Sequence, residues 1–558
     1  MKKYLLSIIA LIIPLINFAQ ETEIGLDEKV NNAFMPVATW WEGFILTRIP
    51  IGEYHIPAVV LLLVLGATFF TIYFRFPAFT KFRTAINTVR GRYVDIEKHG
   101  VDKLYNNDEA LAVEDIPNTI RDESAHGEVS HFQALATAVS GTVGLGNIAG
   151  VAVAIGLGGP GATFWMIVCG LLGMSTKFVE CTLGVKYRDV GPDGTIYGGP
   201  MYYLSKGMKE IGFGTFGKIL GVLFAVLCVG ASFGGGNAFQ SNQAAVQIST
   251  LLKLEGGSNG VIIGVILAIL VGIVIIGGIK RIAKITEKIV PFMAGLYILA
   301  SLVIIFANIS DIGFAFQLII DGAFTPMAGL GGMVGVLIVG FQRAAFSNEA
   351  GAGSAAIAHS AVRTKYPASE GIVALLEPFI DTVVICTMTA LVIIFFNING
   401  TDAQSVFNYT AEHGSSVILN SNGNTINGVD LTSMAFDSVI PHFSYVLTIA
   451  IVLFAFSTMI SWSYYGLQSW KYLFGKGKTA DMVYKILFLL FVVIGAAATL
   501  DAVIKFSDAM ILALVFPNMI GLLFLFPKVR QEMKRYMSAI SIKREAIQDG
   551  AEDITKHM

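Results

Sequence analysis

Charge is scarce in this sequence of 558 residues. Asp, Glu, Lys and Arg make up only 14% of it, whereas about 25% is usual in soluble domains. Hydrophobic residues make up 54%, and many apolar runs reach the ~20 residues that a membrane-spanning helix needs. This composition excludes an ordinary soluble protein and predicts an all-α polytopic membrane protein in a lipid bilayer. The net charge of −2 gives no reason to expect nucleic acid as a partner.

Cysteine and histidine are also scarce. The four cysteines fall in predicted spans without metal-ligand spacing, and we expect them to pack as small apolar residues: Cys169, Cys181, Cys228 and Cys386. The eight histidines are scattered without a clustered metal motif, and the sequence has no nucleophile elbow. These absences argue against an enzyme. The 31-residue tail (528–558) is too short for the signalling domain that a membrane sensor would need, since domains usually exceed ~50 residues.

The N-terminus has the pattern of a signal peptide. Two lysines after Met1 precede an apolar core from Tyr4 to Ile16, and a polar stretch follows. We therefore predict a signal peptide over 1–19, cleaved after Ala19, and a periplasmic segment over 20–56. A retained anchor helix is the alternative, which Pro14 and the short apolar core disfavour.

The remaining apolar runs predict eleven membrane-spanning helices in the mature chain. Their ranges are 57–75, 133–156, 161–185, 217–247, 259–279, 289–308, 330–358, 371–397, 442–470, 482–502 and 506–527. Lys and Arg are concentrated in alternate connections, including the loop 76–132, and are absent from 309–329 and 398–441. The positive-inside rule therefore predicts a plasma (inner) membrane protein with the N-terminus outside. The loop 76–132, expected to be a partly helical surface loop, and the tail 528–558 are then cytoplasmic.

Two of these spans are interrupted at matching places. Ser140 to Asn147 contains three glycines, which make a helix easy to unwind. Unwound backbone at membrane depth is tolerated where it lines a cavity, and there it binds ions or substrate. A second interruption, Gly340 to Ser354, lies within span 330–358. Glycine in one such span can simply allow close helix packing, but paired interruptions indicate a transport site.

The positions of the interruptions define a repeat. After the extra first helix (57–75), the remaining ten spans divide into two groups of five, 133–308 and 330–527. Groups with an odd number of spans have opposite orientations, so the pattern predicts an inverted-topology repeat, each half beginning with a broken helix.

Three motifs give the chain a specific resemblance. Ser140-Gly-Thr-Val-Gly-Leu-Gly-Asn-Ile-Ala-Gly150, Gly198-Gly-Pro-Met-Tyr-Tyr203 and Phe346-Ser-Asn-Glu-Ala-Gly-Ala-Gly-Ser354 resemble those of the alanine/glycine:cation symporters. The first also resembles a core helix of the neurotransmitter:sodium symporters. The resemblance runs from about residue 57 to about residue 530. It implies a LeuT-type 5+5 fold and sodium-coupled uptake of a small neutral amino acid such as alanine or glycine.

An amino acid is a zwitterion, so its site needs donors and acceptors. The half-helix that begins near Asn147 directs free N–H groups and a positive dipole end at the cavity. We expect the N–H groups of Gly144, Leu145 and Gly146 to bind the carboxylate, with Thr142 beside them. Backbone carbonyls from Phe341 to Phe346 are candidates for the ammonium. Gln240 offers a side-chain oxygen, although such amides often only bridge helices.

Span 442–470 supplies the predicted wall of the pocket. Thr458 and Trp462 are four residues apart and share a helix face. Tryptophan at mid-membrane is unusual, since it prefers the interfaces, and an indole there can cap the pocket against large side chains. Plain core packing is the alternative interpretation. The family resemblance implies that both residues line the substrate pocket.

Sodium is the expected coupling ion, and it is bound by oxygen. By the LeuT-type resemblance, its ligands are the carbonyls of Ser140 and Val143. The same resemblance adds the hydroxyls of Ser457, Thr458 or Ser461. Asn147 is a candidate ligand for a second ion.

Charged residues inside the spans should be paired or functional. We expect Arg343 and Glu349 to form a mutual pair or gate. We expect two structural pairs, Glu377 with Asp381 and Lys177 with Glu180. Lys177 and Glu180 are expected to snorkel at the cytosolic interface.

Three other functions stay open at this point: a carrier of a larger neutral amino acid such as glutamine, a channel and a membrane sensor. The two broken helices favour an occluding site over an open pore.

Overall fold

The computed structural model describes residues 25–101, 127–191, 194–254, 256–324, 332–399, 405–408, 416–421 and 423–548. The predicted signal peptide and its cleavage position lie outside the described residues. The described chain is almost entirely helical, as its apolar composition requires, because a helix pairs the backbone groups that lipid leaves without partners.

The helices and strands have the following bounds. The α-helices are Leu26–Ile45, Ala58–Tyr73, Pro77–Thr80, Phe82–Val89, Val94–His99, His131–Thr142, Ala149–Gly158, Gly161–Lys186, Pro200–Glu210, Gly214–Phe233, Phe239–Leu252, Asn259–Ile275, Gly278–Ala307, Ile312–Phe324, Met333–Asn348, Ala355–His359, Pro367–Ala374, Leu376–Pro378, Thr387–Ile398, Gly428–Asp437, Phe443–Phe474, Lys478–Ala497 and Leu500–Gln548. Leu145–Asn147 and Ile309–Asp311 are 3-10 turns, and Gly234–Ala238 and Phe379–Cys386 are π-helical. Antiparallel hairpins pair Arg48–Ile51 with Tyr54–Pro57, Asp189–Val190 with Ile196–Tyr197, and Ser416–Ile418 with Thr425–Asn427.

Within the described residues, seven helices are long and apolar enough to cross a membrane, and a bent pair makes an eighth. Two shorter apolar helices, Ala58–Tyr73 and Asn259–Ile275, add to these. The all-α polytopic class is confirmed, whereas the count of eleven spans stays a prediction. Two helices extend past their predicted spans, Gly278–Ala307 and Leu500–Gln548. Hydropathy marks only the part of a helix that lies in lipid, so it does not predict these polar extensions.

Both predicted interruptions are breaks in helices. The first separates His131–Thr142 from Leu145–Gly158, which are bent by 58° relative to each other. The second follows Met333–Asn348, where Glu349 takes a left-handed conformation (φ 56°). Gly351 and Gly353 also have positive φ, which glycine adopts without steric cost, and the helix resumes at Ala355. These are the two broken helices of the predicted five-plus-five arrangement.

The described part of the predicted loop, residues 76–101, is partly helical, as predicted, and it has both exposed and buried residues. Glu97 and Ile96 are buried. The end of the long last helix lies against them, where Tyr536 donates a hydrogen bond to Glu97 (2.6 Å) and Lys543 pairs with Asp95 (2.7 Å). The sequence did not predict this contact because the two segments are more than 400 residues apart.

The helix Leu26–Ile45 forms hydrogen bonds with the ends of other helices. Asp27 accepts the N–H groups of Gly260 and Val261 (3.1 and 3.2 Å) at the start of Asn259–Ile275. Asn31 accepts both the N–H and the hydroxyl of Thr499 (3.0 and 2.8 Å), between the last two helices. The opposite face is open, with Trp40 70% exposed. We call this helix the N-terminal strap.

Candidate functional site

The first break meets the helix Phe443–Phe474 through oxygen atoms. Thr458 Oγ1 donates a hydrogen bond to the carbonyl oxygen of Ser140 (3.0 Å), and Ser140 Oγ donates to the carbonyl oxygen of Ser457 (2.8 Å). Ser461 Oγ is buried one turn further along, and it has no hydrogen-bond partner in the part of the chain that the structure describes. Four of the six predicted sodium ligands therefore lie on two helix segments in contact. Val143 ends the first half-helix, and its N–H donates to Val139 (2.7 Å).

Gly144, just after the first half-helix, lies close to the helix Phe443–Phe474. A Cβ on Gly144 would lie 2.4 Å from Thr458 Oγ1 and 3.0 Å from Gln240 Oε1. Only glycine fits here, so Thr458 and Gln240 both reach the unwound backbone. Thr142, in contrast, does not use its hydroxyl for this contact, because that hydroxyl donates to the carbonyl of Ala138 in its own helix (3.3 Å).

The side-chain amide of Gln240 is hydrogen-bonded through both its oxygen and its nitrogen. Its Oε1 accepts the N–H of Leu145 (3.0 Å), and its Nε2 donates to the carbonyl of Gly235 (2.8 Å). The amide oxygen has a second lone pair, and its predicted contact with the substrate ammonium stays a prediction. Asn147 Oδ1 likewise accepts the N–H of Gly144 (3.0 Å). Two of the three N–H groups predicted to bind the carboxylate are thus occupied by side chains of the protein itself.

Two aromatic side chains close the space around the break. A Cβ on Gly236 would lie 2.1 Å from the Trp462 ring, so the indole packs directly on the π-helical backbone. Phe346 packs between Gly146 and Gly235, at 3.2 and 3.1 Å from the corresponding Cβ positions. Phe341, on the same helix as Phe346, is 1% exposed.

The charged residues of the second break do not pair with each other, so the predicted mutual pair of Arg343 and Glu349 is wrong. Arg343 pairs with Asp508 of the last helix, and its guanidinium lies 5.5 Å from the ring centroid of Phe346. Glu349 accepts the indole N–H of Trp462 (2.9 Å). Glu349 itself takes the left-handed conformation that ends the helix, and the two side chains contact different helices.

Asp381 is a functional candidate that the sequence analysis placed only in a structural pair with Glu377. Its Oδ1 accepts the hydroxyls of Ser347 (2.6 Å) and Thr382 (2.7 Å), and its Oδ2 accepts the amide of Asn147 (2.8 Å). Cys386 Sγ lies beside Asn147 (3.4 Å), so this cysteine is not purely an apolar packing residue. The π-helix Phe379–Cys386 thereby connects both broken helices. An aspartate in a span made mostly of apolar residues was the available signal.

Lys177 and Glu180 do not snorkel, since both are fully buried. Lys177 instead pairs with Glu377 (3.1 Å), 200 residues away. The fully buried Glu180 accepts the N–H of Gly351 (2.9 Å) in the second break.

Two of the eight histidines contact the same buried carboxylate. His131 and His359 both hydrogen-bond to the buried Glu370. His131 continues to Glu97 (2.9 Å), and His359 continues to Glu377 (3.4 Å). One buried network of charged groups therefore joins the starts and ends of the broken helices.

Two broken helices around an oxygen-lined centre have the arrangement expected of a transporter, and the sequence comparison decides the family. A family model described as the sodium:alanine symporter family matches residues 48–549. The chain belongs to the sodium:alanine symporter family. This membership confirms the prediction of a sodium-coupled symporter of small neutral amino acids.

Relatives of this symporter are named for different substrates. The sodium/alanine symporter AgcS of Methanococcus maripaludis is 43% identical, over 75% of this chain and 86% of that protein. The probable sodium/glutamine symporter GlnT of Bacillus subtilis is 35% identical, over 73% of this chain and 78% of that protein. The crystal structure of MhsT in complex with L-phenylalanine has a TM-score of 0.48 and 14% identity, covering 72% of this chain and 99% of that one. The N-terminal strap precedes the part that the family model matches.

Proposed function

We propose that this symporter takes up alanine or glycine together with Na⁺ by alternating access around the first break. The observation that carries the proposal is the contact of Thr458 with the Ser140 carbonyl (3.0 Å). It places a hydroxyl, carbonyl oxygens and the unwound backbone of Gly144 at one point. Unwound helices in transporters bind ions and substrates with such groups. Transport needs no chemical conversion, so no residue is assigned a catalytic role.

The first sodium site is proposed between the break and the helix Phe443–Phe474. Its ligands are the carbonyl oxygens of Ser140 and Val143 with the hydroxyl of Thr458. Ser457 and Ser461 supply further oxygens. The buried hydroxyl of Ser461, which has no hydrogen-bond partner among the described residues, supports this set, because a buried polar group without a partner is costly. Sodium would take the place of the hydrogen bond from Thr458 to Ser140.

A second sodium site is proposed at Asp381. The carboxylate is fully buried, and a buried charge needs compensation. Ser347, Thr382 and Asn147 contribute oxygens or dipoles around it. A monovalent cation here would neutralise the carboxylate while touching both broken helices, which couples ion binding to their relative position.

The substrate is proposed to displace part of this internal hydrogen bonding. Its carboxylate takes the N–H groups of Leu145 and Gly146, and the amide of Gln240 turns so that its NH₂ group donates to the carboxylate. The carbonyls between Phe341 and Phe346 accept from the ammonium. Trp462 and Phe346 enclose the side chain. Their close packing on glycine backbone favours a methyl group or hydrogen over a glutamine side chain.

In alternating access, the site is proposed to open first to one side of the membrane and then to the other. With the N-terminus outside the inner membrane and the C-terminus in the cytoplasm, Arg343 and Asp508 lie on the outer side of the pocket. Arg343 covers Phe346 and pairs with Asp508. Breaking this pair would open the pocket outward.

The test is uptake of labelled alanine into proteoliposomes under an inward sodium gradient, compared with an equal potassium gradient. Accumulation with sodium alone supports the proposal. Equal, slow entry under both gradients would contradict it and favour a passive pore. Competition by glycine, alanine and glutamine then ranks the substrates, and stronger competition by glutamine would assign the larger substrate instead.

A further inference from the structure

We propose that Glu349 is a positioning residue that fixes the indole of Trp462 and thereby limits the pocket to small side chains. The inference rests on the proposed function, in which Trp462 encloses the substrate side chain. Glu349 itself does not touch the substrate in this proposal. It acts through the orientation of the indole ring.

The first observation is the conformation of Glu349. It ends the helix Met333–Asn348 with φ 56° and ψ 17°. Left-handed caps of this kind are usually glycine or asparagine, because a longer side chain is strained there. Strained residues that persist often serve a functional site. The presence of glutamate, despite that cost, indicates that its carboxylate is needed at this position.

The second observation is the use of both carboxylate oxygens. Oε1 accepts the indole N–H of Trp462 at 2.9 Å, and Oε2 accepts the hydroxyl of Ser354. Ser354 lies where the second broken helix resumes. Ser354, five residues further along the same broken helix, therefore holds one carboxylate oxygen. The other oxygen is left to accept the indole N–H.

The third observation is the burial of Trp462, which is 1% exposed. Glu349 is its acceptor among the described residues. Leaving a buried N–H without a partner is unfavourable, so rotating the indole away from Glu349 is costly. The ring is then held on Gly236 on one side, and it meets Tyr465 edge-on at 5.3 Å between ring centroids on the other. Neither neighbour alone fixes the rotation that the hydrogen bond fixes.

The consequence is that pocket size depends on the second break. Glu349 belongs to the unwound segment, whereas Trp462 belongs to a long continuous helix. Loss of the hydrogen bond would free the indole to turn, which enlarges the pocket and weakens its fit to a methyl group.

The experiment measures sodium-driven uptake of labelled alanine and labelled leucine in proteoliposomes. In Glu349→Ala we expect the leucine-to-alanine ratio of kcat/KM to rise about tenfold, the order set by one lost buried hydrogen bond. Most of the effect should be a higher KM for alanine. Trp462→Phe removes the N–H while keeping a ring, and it should shift the ratio in the same direction. The double variant should change the ratio no more than Glu349→Ala alone, since both remove one interaction.

Two variants separate this role from general loosening. Glu349→Gln retains an acceptor oxygen, and it should keep the ratio nearer to that of the unmodified protein than Glu349→Ala does. Glu180→Gln alters a buried carboxylate that holds the same break through Gly351 without contacting the indole. It should lower total uptake without shifting the ratio.

An unchanged ratio in Glu349→Ala, with sodium-driven alanine uptake retained, would overturn the proposal. So would an equal shift in Glu180→Gln. If Glu349→Ala does not fold, Trp462→Phe decides, and an unchanged ratio in that variant counts against the proposal. Absence of sodium-driven alanine uptake in the unmodified protein would instead contradict the proposed function.

Discussion

Thr458 donates a hydrogen bond of 3.0 Å to the carbonyl oxygen of Ser140, although the two residues are 318 positions apart. The acceptor belongs to a helix that has just begun to unwind, so its carbonyl is not committed to a regular helical bond. The contact joins the two predicted repeats at the point where sodium and substrate are proposed to bind. Substitutions at this contact should therefore alter the sodium dependence of uptake more than they alter folding.

Thr458→Ala tests the first sodium site. We expect the sodium concentration for half-maximal alanine uptake to rise about tenfold, because one oxygen ligand worth about 1–2 kcal/mol is lost. Thr458→Ser retains the hydroxyl and should stay close to the unmodified value. Sodium titration at saturating alanine measures the effect apart from substrate affinity. An unaltered sodium dependence would remove Thr458 from the ligands.

Asp381→Asn tests the second sodium site. The substitution keeps the size of the side chain but removes its charge, so we expect uptake to fall about tenfold or more and the number of sodium ions per alanine to drop by one. Reversal potentials in proteoliposomes measure that number. Asp321→Asn, at an exposed position, is the matched control. A ratio of sodium to alanine that does not change would assign Asp381 a structural role.

Trp462→Ala tests the wall of the pocket. We expect the KM for alanine to rise about tenfold and larger neutral amino acids to become substrates, because the indole no longer fills the space beside Gly236. Trp470→Ala is the control, since Trp470 lies in the same helix but packs on Phe474 and Tyr484. Competition by a panel of amino acids measures the profile. The same profile in Trp462→Ala as in the unmodified protein would refute the role.

Arg343→Gln tests the proposed outer gate. Arg343 and Asp508 are buried, and Arg343 NH1 and Asp508 Oδ1 have no further hydrogen-bond partner within the described residues. A pair held by few contacts is suited to breaking. With Ser507→Cys as a reporter beside Asp508, Arg343→Gln should increase labelling by a membrane-impermeant maleimide about tenfold. Asp501→Asn, which removes an exposed pair with Lys505, should not. Equal labelling with and without Arg343 would contradict the gate.

Asn31→Ala tests the N-terminal strap. Asn31 accepts two hydrogen bonds from Thr499, so its loss should lower the free energy of unfolding by about 1 kcal/mol. Thermal unfolding in detergent, followed by the fraction of folded protein, measures this. Asn32→Ala removes an exposed neighbour and should have little effect. If both variants unfold alike, the strap does not hold the helix ends.

Local patterns were sufficient to predict the class, the breaks and the family. Hydropathy of a segment predicts whether a helix can lie in lipid, and glycine clusters predict where its backbone can unwind. Both properties belong to a few neighbouring residues. The strap and the polar extensions of Gly278–Ala307 and Leu500–Gln548 were not predicted, because helices in water need no apolar run.

Only the tertiary structure decided how the polar groups pair. Arg343 and Glu349 are near each other in sequence, yet Arg343 pairs with Asp508 and Glu349 with Trp462. Spacing along one helix shows which side chains share a face, but it does not show which other helix lies opposite that face. Gln240, which accepts the N–H of Leu145, illustrates the same limit. The sequence proposes candidate residues for the site, whereas the partners of these residues follow from the packing of distant helices.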